Sequence, residues 1–333
     1  MPILSAVVEY RALARTDVKV SAIGFGCGGF GGVGSAASLF GKGENEQQAI
    51  ALMDHAVALG INYFDTANSY GGGRSEEFIG RWMKDRAARD SIVLATKVFN
   101  PMDGDPNSGG LSRRAIVRAV EDSLRRLQTD RIDLYMAHEV DPAVDLEETM
   151  RAFDDLVRGG KVLHLGFCNI EAWRVVKSLW VSERMGAARL ACVQNEYNLL
   201  HREADVEMLP MLAGEGVSFV AFSPMAGGWL TGKYRPDASP PEGSRMTLRP
   251  EPYHGFQNAA TYGTIDRLAA SAPEFGASVG AVALAWAMSN PLVTAVLAAP
   301  RNLEQFIAVE EALSLKLDDA DRARLSELAA GVS

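Results

Sequence analysis

Residues 131–169 read RIDLYMAHEV DPAVDLEETM RAFDDLVRGG KVLHLGFCN. Ile132–His138 is a short run rich in apolar and aromatic residues, as expected of a strand buried on both faces. Leu146–Arg158 changes to helical periodicity and stops at Gly159-Gly160. Val162–Asn169 is a second strand-like run. A strand, a helix and a strand in succession imply a parallel pair joined by a crossover helix.

The same alternation extends in both directions. Further strands are predicted over Val20–Cys27, Asn62–Thr66, Ile92–Val98, Cys192–Tyr197, Ser218–Ser223 and Thr294–Ala299, eight in all with the two above. Glu46–Leu59 places Ile50, Met53, Val57 and Leu59 at helical spacing and ends at Gly60, a suitable residue just past a helix. Further helices are predicted over Arg74–Lys84, Ser112–Gln128, Glu171–Met185, Asp205–Ala213 (with Gly214 as its stop), Ala259–Ala270, Ser278–Ser289 and Leu303–Ala312. Eight βα units favour an α/β fold of the closed (β/α)8 TIM-barrel type over an open, doubly wound sheet. An N-terminal β-hairpin around Val7–Val20, turning within Arg11–Val18, would plug its bottom. No linker or composition break divides residues 1–333, so one domain is expected. Ala226–Asn258 is long, irregular and rich in Gly and Pro, as loops over a binding mouth often are.

Composition narrows the function. The 333 residues are 47% hydrophobic and 23% charged, enough for a large core without disulfide or metal staples. Lys and Arg number 33 against 42 Asp and Glu, a net charge of −9 that lacks the basic footprint of a nucleic-acid or anionic-membrane binder. Cys27, Cys168 and Cys192 each lie in an apolar run and read as buried free thiols, which suits the cytoplasm. Met1–Tyr10 lacks a basic start and contains Pro2 and Glu9, so no signal peptide is expected. No window is long and apolar enough to span a bilayer, and composition carries no signal for an oligomeric state.

Two motifs mislead. Gly26-Cys27-Gly28-Gly29-Phe30-Gly31 is formally GxGxxG after a strand, but no helix opens at its third glycine. The next strand ends in Asp65 almost forty residues on, where a Rossmann unit needs an acid after about twenty. Asp103-Gly104-Asp105-Pro106-Asn107 resembles a calcium loop, yet Ser108 and Arg114 stand where glycine and glutamate are required. No resident metal is expected.

The chemistry lies at the strand ends. Asp65, Lys97 and His138 fall at or near the carboxyl ends of three successive strands, and Tyr70 lies just beyond the first. In a barrel all such ends point to one mouth. Singly, Asp65 could cap a turn, Lys97 could reach the surface, His138 could be a core histidine and Tyr70 could pack under glycine. Jointly they suit one reaction. Asp65 can pair a buried Lys97. The lysine cation would lower the Tyr70 phenol from about 10 toward neutrality. Tyr70 then acts as general acid on an oxygen gaining charge, and His138 hydrogen-bonds the same oxygen. This is equipment for carbonyl reduction. No side chain delivers hydride, so a nicotinamide cofactor is implied.

The same residues resemble the aldo-keto reductases over nearly the whole chain. Asn62–Gly71 is similar to the family's Asp/Tyr signature, Ala95-Thr96-Lys97 to its lysine strand and Arg131–His138 to its histidine strand. The resemblance implies a tetrad of Asp65, Tyr70, Lys97 and His138 with Tyr70 as proton donor. It implies nicotinamide contacts at Asn169 and Gln194, Cys168 in place of the usual serine, and Tyr197 as the stacking aromatic. Ser223–Tyr234 resembles the pyrophosphate loop of the longer-chain reductases, implying cofactor contacts from Ser223, Pro224, Met225, Gly227, Leu230, Gly232 and Lys233. Arg301 and Gln305 stand at the adenine end, while Ala308 and Val309 replace the usual Glu-Asn pair. Arg301 suits a 2′-phosphate, so NADP(H) is favoured, with NAD(H) as the alternative. Phe30, Phe99 and Trp229, with Tyr253 and Phe256, would wall an apolar pocket for a small-molecule carbonyl or alcohol. Two other functions remain open. One is a nicotinamide-binding interaction module resembling the potassium-channel β subunits. The other is Schiff-base chemistry on Lys97.

Overall fold

Tyr10–Ala12 (β1) and Lys19–Ser21 (β2) pair antiparallel, with Tyr10 opposite Ser21. The turn between them is closed by the Leu13 amide on the Val18 carbonyl at 2.8 Å. The computed structural model describes residues 8–102, 105 and 107–329, so Val7, most of Met1–Tyr10 and part of the 103–107 motif lie outside the described residues. Beyond the hairpin run eight strands: Ile23–Gly26 (β3), Tyr63–Asp65 (β4), Val93–Val98 (β5), Ile132–Ala137 (β6), Val162–Cys168 (β7), Leu190–Glu196 (β8), Ser218–Phe222 (β9) and Ala295–Ala298 (β10). They form a closed parallel barrel in chain order, with β10 pairing both β9 and β3. This is the expected TIM-type (β/α)8 barrel.

Helices Glu46–Ala58 (α1), Arg74–Arg86 (α2), Arg113–Leu127 (α3), Leu146–Arg158 (α4) and Ala172–Met185 (α5) return the chain between the first strands. Met208–Glu215 (α6), the short Arg245–Leu248 (α7), Ala259–Ser271 (α8), Val279–Met288 (α9), Phe306–Ser314 (α10) and Asp319–Leu328 (α11) complete the set among the described residues. One buried cluster lies between helices and barrel. A second fills the barrel itself, where Leu13 and Val20 of the hairpin join Tyr63, Leu134, Met136 and Val220.

Several boundaries differ from expectation. Val20–Cys27 is two elements, because Ser21 still pairs in the hairpin while Ile23 already pairs with Val296 of the barrel. The helix expected over Asp205–Ala213 begins at Met208, after a 3-10 turn at Glu203–Asp205. Pro210 then falls in its first turn, where the missing amide hydrogen costs nothing. Its left-handed stop is Gly216, not Gly214. Leu303–Gln305 is a 3-10 turn, and the helix proper starts at Phe306. The helix α11 was not expected, since its only fully buried side chain is Leu325 and it shows little apolar stripe. Among the described residues no single helix is long and apolar enough to cross a membrane.

Candidate active site

Asp65 ends β4, Lys97 lies one residue before the end of β5, and His138 follows β6 directly. Tyr70 opens a 3-10 turn, Tyr70–Gly73, immediately before α2. The barrel brings these four together. Lys97 Nζ donates to Asp65 Oδ1 at 2.5 Å and to the Thr66 carbonyl at 2.8 Å. Both partners are essentially removed from solvent, at 0% and 4% side-chain exposure, so neither charge could stand there alone. Burial is the largest single influence and opposes the ammonium charge, but the Asp65 carboxylate, aided by Tyr70 and Cys168, lifts the lysine above its ordinary range. Lys97 Nζ sits 5.2 Å from the centre of the Tyr70 ring. Tyr70 Oη lies 3.5 Å from His138 Nε2, with the two rings edge to face.

The electrostatics revise one expectation. Burial raises the Tyr70 phenol above its ordinary value, and Lys97 pulls it down without overcoming that effect. Tyr70 is therefore a protonated phenol held beside a fixed cation. Burial and the Lys97 cation together lower His138 to about 3, which keeps the imidazole neutral. His138 Nδ1 is buried without a partner.

Gln194 Nε2 donates to Asp65 Oδ2 at 2.8 Å, so the tetrad carboxylate is held from two sides. The Cys168 thiol donates to Gln194 Oε1 at 3.5 Å, and burial keeps it from ionising. A thiol at this position is a weaker donor than a serine hydroxyl. Asn169 has a left-handed φ of 51° at the rim, and its amide donates to the His138 carbonyl at 2.9 Å and to Glu139 Oε1 at 3.1 Å.

Tyr197 is not at the mouth. It is buried, its hydroxyl donates to Asp205 at 2.8 Å, and its ring stacks on Trp286 between barrel and helices. Parity explains the correction. Side chains alternate along a strand, and three residues after inward-facing Gln194 is an outward position. Phe222, two residues beyond Val220 of the barrel interior, does line the mouth. The same alternation would have found it.

Ser223 also has a left-handed φ, 52°, with its carbonyl accepting from Asn198 Nδ2 at 3.0 Å. Pro224 is buried and Met225 half-buried against the core. The chain then turns through Gly227 and Gly228, at φ 63° and 96°, where a side chain would be strained. Leu230 is buried and Gly232 is the left-handed cap of this turn. Lys233 lies over the Tyr234 ring, and partial burial followed by Arg245 and Arg301 lowers its pKa, marking a local cationic field.

Arg301 is already engaged. Its Nε donates to Glu44 Oε1 at 2.5 Å, Nη1 to the Gly243 carbonyl at 2.7 Å and Nη2 to the Lys42 carbonyl at 3.3 Å. Gln305 Oε1 accepts from the Arg301 amide at 3.0 Å. The predicted substrate wall is corrected too. Phe30 is buried edge-on against Phe25, and Phe99 packs on the core. Trp229 is buried among Tyr234, Phe256 and Tyr262. Large rings next to a mouth are drawn into the nearest apolar packing. Of the aromatics considered, Tyr253 lines the cavity.

That cavity measures about 410 Å³. Its lining includes Asn169, Gln194, Phe222, Ser223, Arg245 and Arg249. The donor set fits a nicotinamide nucleotide: amides for a carboxamide, an aromatic face for a ring, and cations for phosphate. Ser35, Tyr70, Asn100, His138 and Glu139 line the same cavity.

The Aldo/keto reductase family model matches residues 22–330. The chain belongs to the aldo/keto reductase family. Among relatives of this reductase, an uncharacterized oxidoreductase, YrpG, of Bacillus subtilis is 36% identical over 93% of each chain. A probable voltage-gated potassium channel subunit beta of Oryza sativa is 32% identical over 92% of each. A versiconal hemiacetal acetate reductase of Aspergillus parasiticus is 34% identical over 85% of this chain and 86% of its own. Family and oxidoreductase relatives together make general oxidoreduction the activity class of this aldo/keto reductase.

Proposed function

We propose that this reductase interconverts an aldehyde or ketone and the corresponding alcohol using NADP(H), with Tyr70 as proton donor and, in reverse, acceptor. The observation that carries the proposal is Tyr70 Oη 3.5 Å from His138 Nε2, beside a cavity, with the paired Lys97 5.2 Å from its ring. The nicotinamide, when bound, supplies the hydride that reaches the carbonyl carbon. Tyr70 gives its proton to the carbonyl oxygen as charge builds there. Neutral His138 can hydrogen-bond that oxygen without adding a competing cation. Lys97 stabilises the phenolate left behind, and Asp65, held by Gln194, keeps Lys97 charged and in place.

NADP(H) is supported over NAD(H) by the cations around the mouth. Arg245 and Arg249 line the cavity, and Lys233 feels both Arg245 and Arg301. In this proposal the phosphate role read for Arg301 passes chiefly to Arg245 and Arg249, since Glu44 holds Arg301. Three buried free thiols support a reducing, cytoplasmic setting.

The test follows nicotinamide absorbance with NADPH and NADH against a panel of aldehydes, for the parent and Tyr70→Phe. The variant is expected to lose about 10²–10⁴-fold in kcat. Its nucleotide affinity should stay near the parent's, because the proton is needed only in the transition state. Near-normal kcat would remove Tyr70 from the chemistry. Tight nucleotide binding with no turnover of any aldehyde would favour an interaction module instead.

A further inference from the structure

Tyr70 opens a stretch of chain that does little to hold itself in place. Gly71, Gly72 and Gly73 follow it, all with left-handed φ, at 59°, 71° and 94°. Glycines lose more freedom on ordering than any other residue. Gly73 is also the residue that caps α2, and it makes no side-chain cap bond. The ring must nevertheless sit beside Lys97 for the chemistry proposed above, so groups outside the glycines have to fix the loop.

Four polar side chains lie behind the tetrad, on the outer wall of the barrel. Tyr63 and Ala95 face the interior, so by alternation Asp65 and Lys97 also face in, while Thr66 and Thr96 face the helices. Both threonines are fully buried, as are Ser75 and Glu76 in the first turn of α2. Thr66 Oγ1 lies 2.7 Å from Ser75 Oγ. Ser75 has one hydroxyl hydrogen and gives it to the Cys27 carbonyl at 2.9 Å, so Thr66 is the donor between the two hydroxyls. Thr96 Oγ1 donates to Glu76 Oε1 at 2.6 Å. Arg126 Nε of α3 donates to Glu76 Oε2 at 2.7 Å and supplies the cation that a buried carboxylate requires.

The pairing follows the chain. Thr66 comes directly after Asp65, Thr96 comes directly before Lys97, and Ser75 and Glu76 are successive residues. Each strand that presents a member of the ion pair is thereby hydrogen-bonded to the helix that ends the Tyr70 loop. Thr66 and Ser75 bound that loop, so their bond closes it. Thr66 is also the node to the tetrad, since its carbonyl accepts from Lys97 Nζ at 2.8 Å. Moving α2 off the wall would leave these buried polar atoms unpaired, which costs more than the bonds themselves contribute.

We propose that Thr66, Ser75, Thr96 and Glu76 are positioning residues, whose two clasps fix the Tyr70 loop and aim the phenol beside Lys97. The proposal rests on the reading of Tyr70 as proton donor and adds the parts that place it.

The test is a double-mutant cycle between Thr66→Val, which keeps the shape and removes the hydroxyl, and Tyr70→Phe. NADPH is used with propanal, benzaldehyde and glyceraldehyde, and kcat is taken per folded molecule. Thr66→Val alone is expected to lower kcat about tenfold, within the roughly 10²-fold that a 1 Å misplacement can cost. KM and the Kd for NADPH should stay near the parent's, because the clasp acts on a group needed only in the transition state. Thr66→Ser, which restores the hydroxyl, should recover most of the loss. In the Tyr70→Phe background Thr66→Val should cost nothing further, since no phenol is left to aim. With Tyr70→Phe impaired, equal fold-losses in both backgrounds, or an unchanged kcat in Thr66→Val, overturn the clasps and leave Tyr70 as the proton donor. Parental kcat in Tyr70→Phe itself, or no turnover of any of the three aldehydes by the parent, brings down the reading on which the proposal rests. Thr96→Val, at the second clasp, runs through the same cycle and decides the question if Thr66→Val does not fold.

Discussion

His138 shows how one residue's setting controls its chemistry. Its pKa is lowered to about 3 by burial and by Lys97, against an ordinary value of 6.5. The unfolded chain therefore binds a proton here between those values while the folded chain does not. Acidification in that window favours unfolding. From pH 6.5 to 5.5 the loss at one such site is about 1 kcal/mol. His164 is lowered in the same direction by its own burial and contributes to the same window. Denaturant midpoints for parent and His138→Gln isolate the site: the variant should lose less stability on acidification, and parallel curves would show that His138 protonates freely in the fold. The residue types of the tetrad were legible in the chain because each falls at a strand end. The raised Tyr70 phenol was not, because it depends on how far the assembled barrel buries the ring.

At the scale of elements, the segment after β10 is tied to the loop after β3 and to the long segment before α7. Arg301 makes both ties, through Glu44 and the Gly243 carbonyl. Glu44 is only 4% exposed in its side chain, and its pKa is raised by burial despite Arg301. Arg301→Ala would leave that carboxylate buried without its cation, at a cost of about 1–3 kcal/mol. The rim then loosens for any nucleotide. Parallel titrations should show NADPH and NADH affinities falling by similar factors, while a loss confined to NADPH would return Arg301 to the 2′-phosphate. Sequence spacing identified the elements that carry this rim. It missed the tie, because Glu44 and Arg301 are 257 residues apart.

For the whole molecule, closure of the barrel is matched by closure of its bottom. Leu13 and Val20 are fully buried and pack into the barrel interior from the hairpin. The mouth lies at the opposite, carboxyl end of the strands. Leu13→Ala should therefore cost about 2–5 kcal/mol by removing apolar contact and leaving a cavity. Chemical denaturation measures the loss, and kcat per folded molecule should be unchanged. A fall in kcat without a fall in stability would mean that the plug shapes the mouth.

The chain alone determined the alternation of strand and helix, and with it the parallel barrel. Local periodicity and glycine stops carry that information over a dozen residues at a time, and Leu146–Arg158 is a helix over the very span its spacing predicts. It also determined that Asp65, Tyr70, Lys97 and His138 meet, since strand ends in a barrel share one face. Only the tertiary structure decided which side chains face the ligand. Tyr197 and Phe222 are both aromatic residues near strand ends, yet one packs on Trp286 and the other lines the mouth. Phe30, Phe99 and Trp229 left the mouth for the core, and Ser35, Asn100 and Glu139 line the cavity. Facing and burial are settled by competition among distant neighbours for the same apolar surface, and no local stretch of sequence contains that competition.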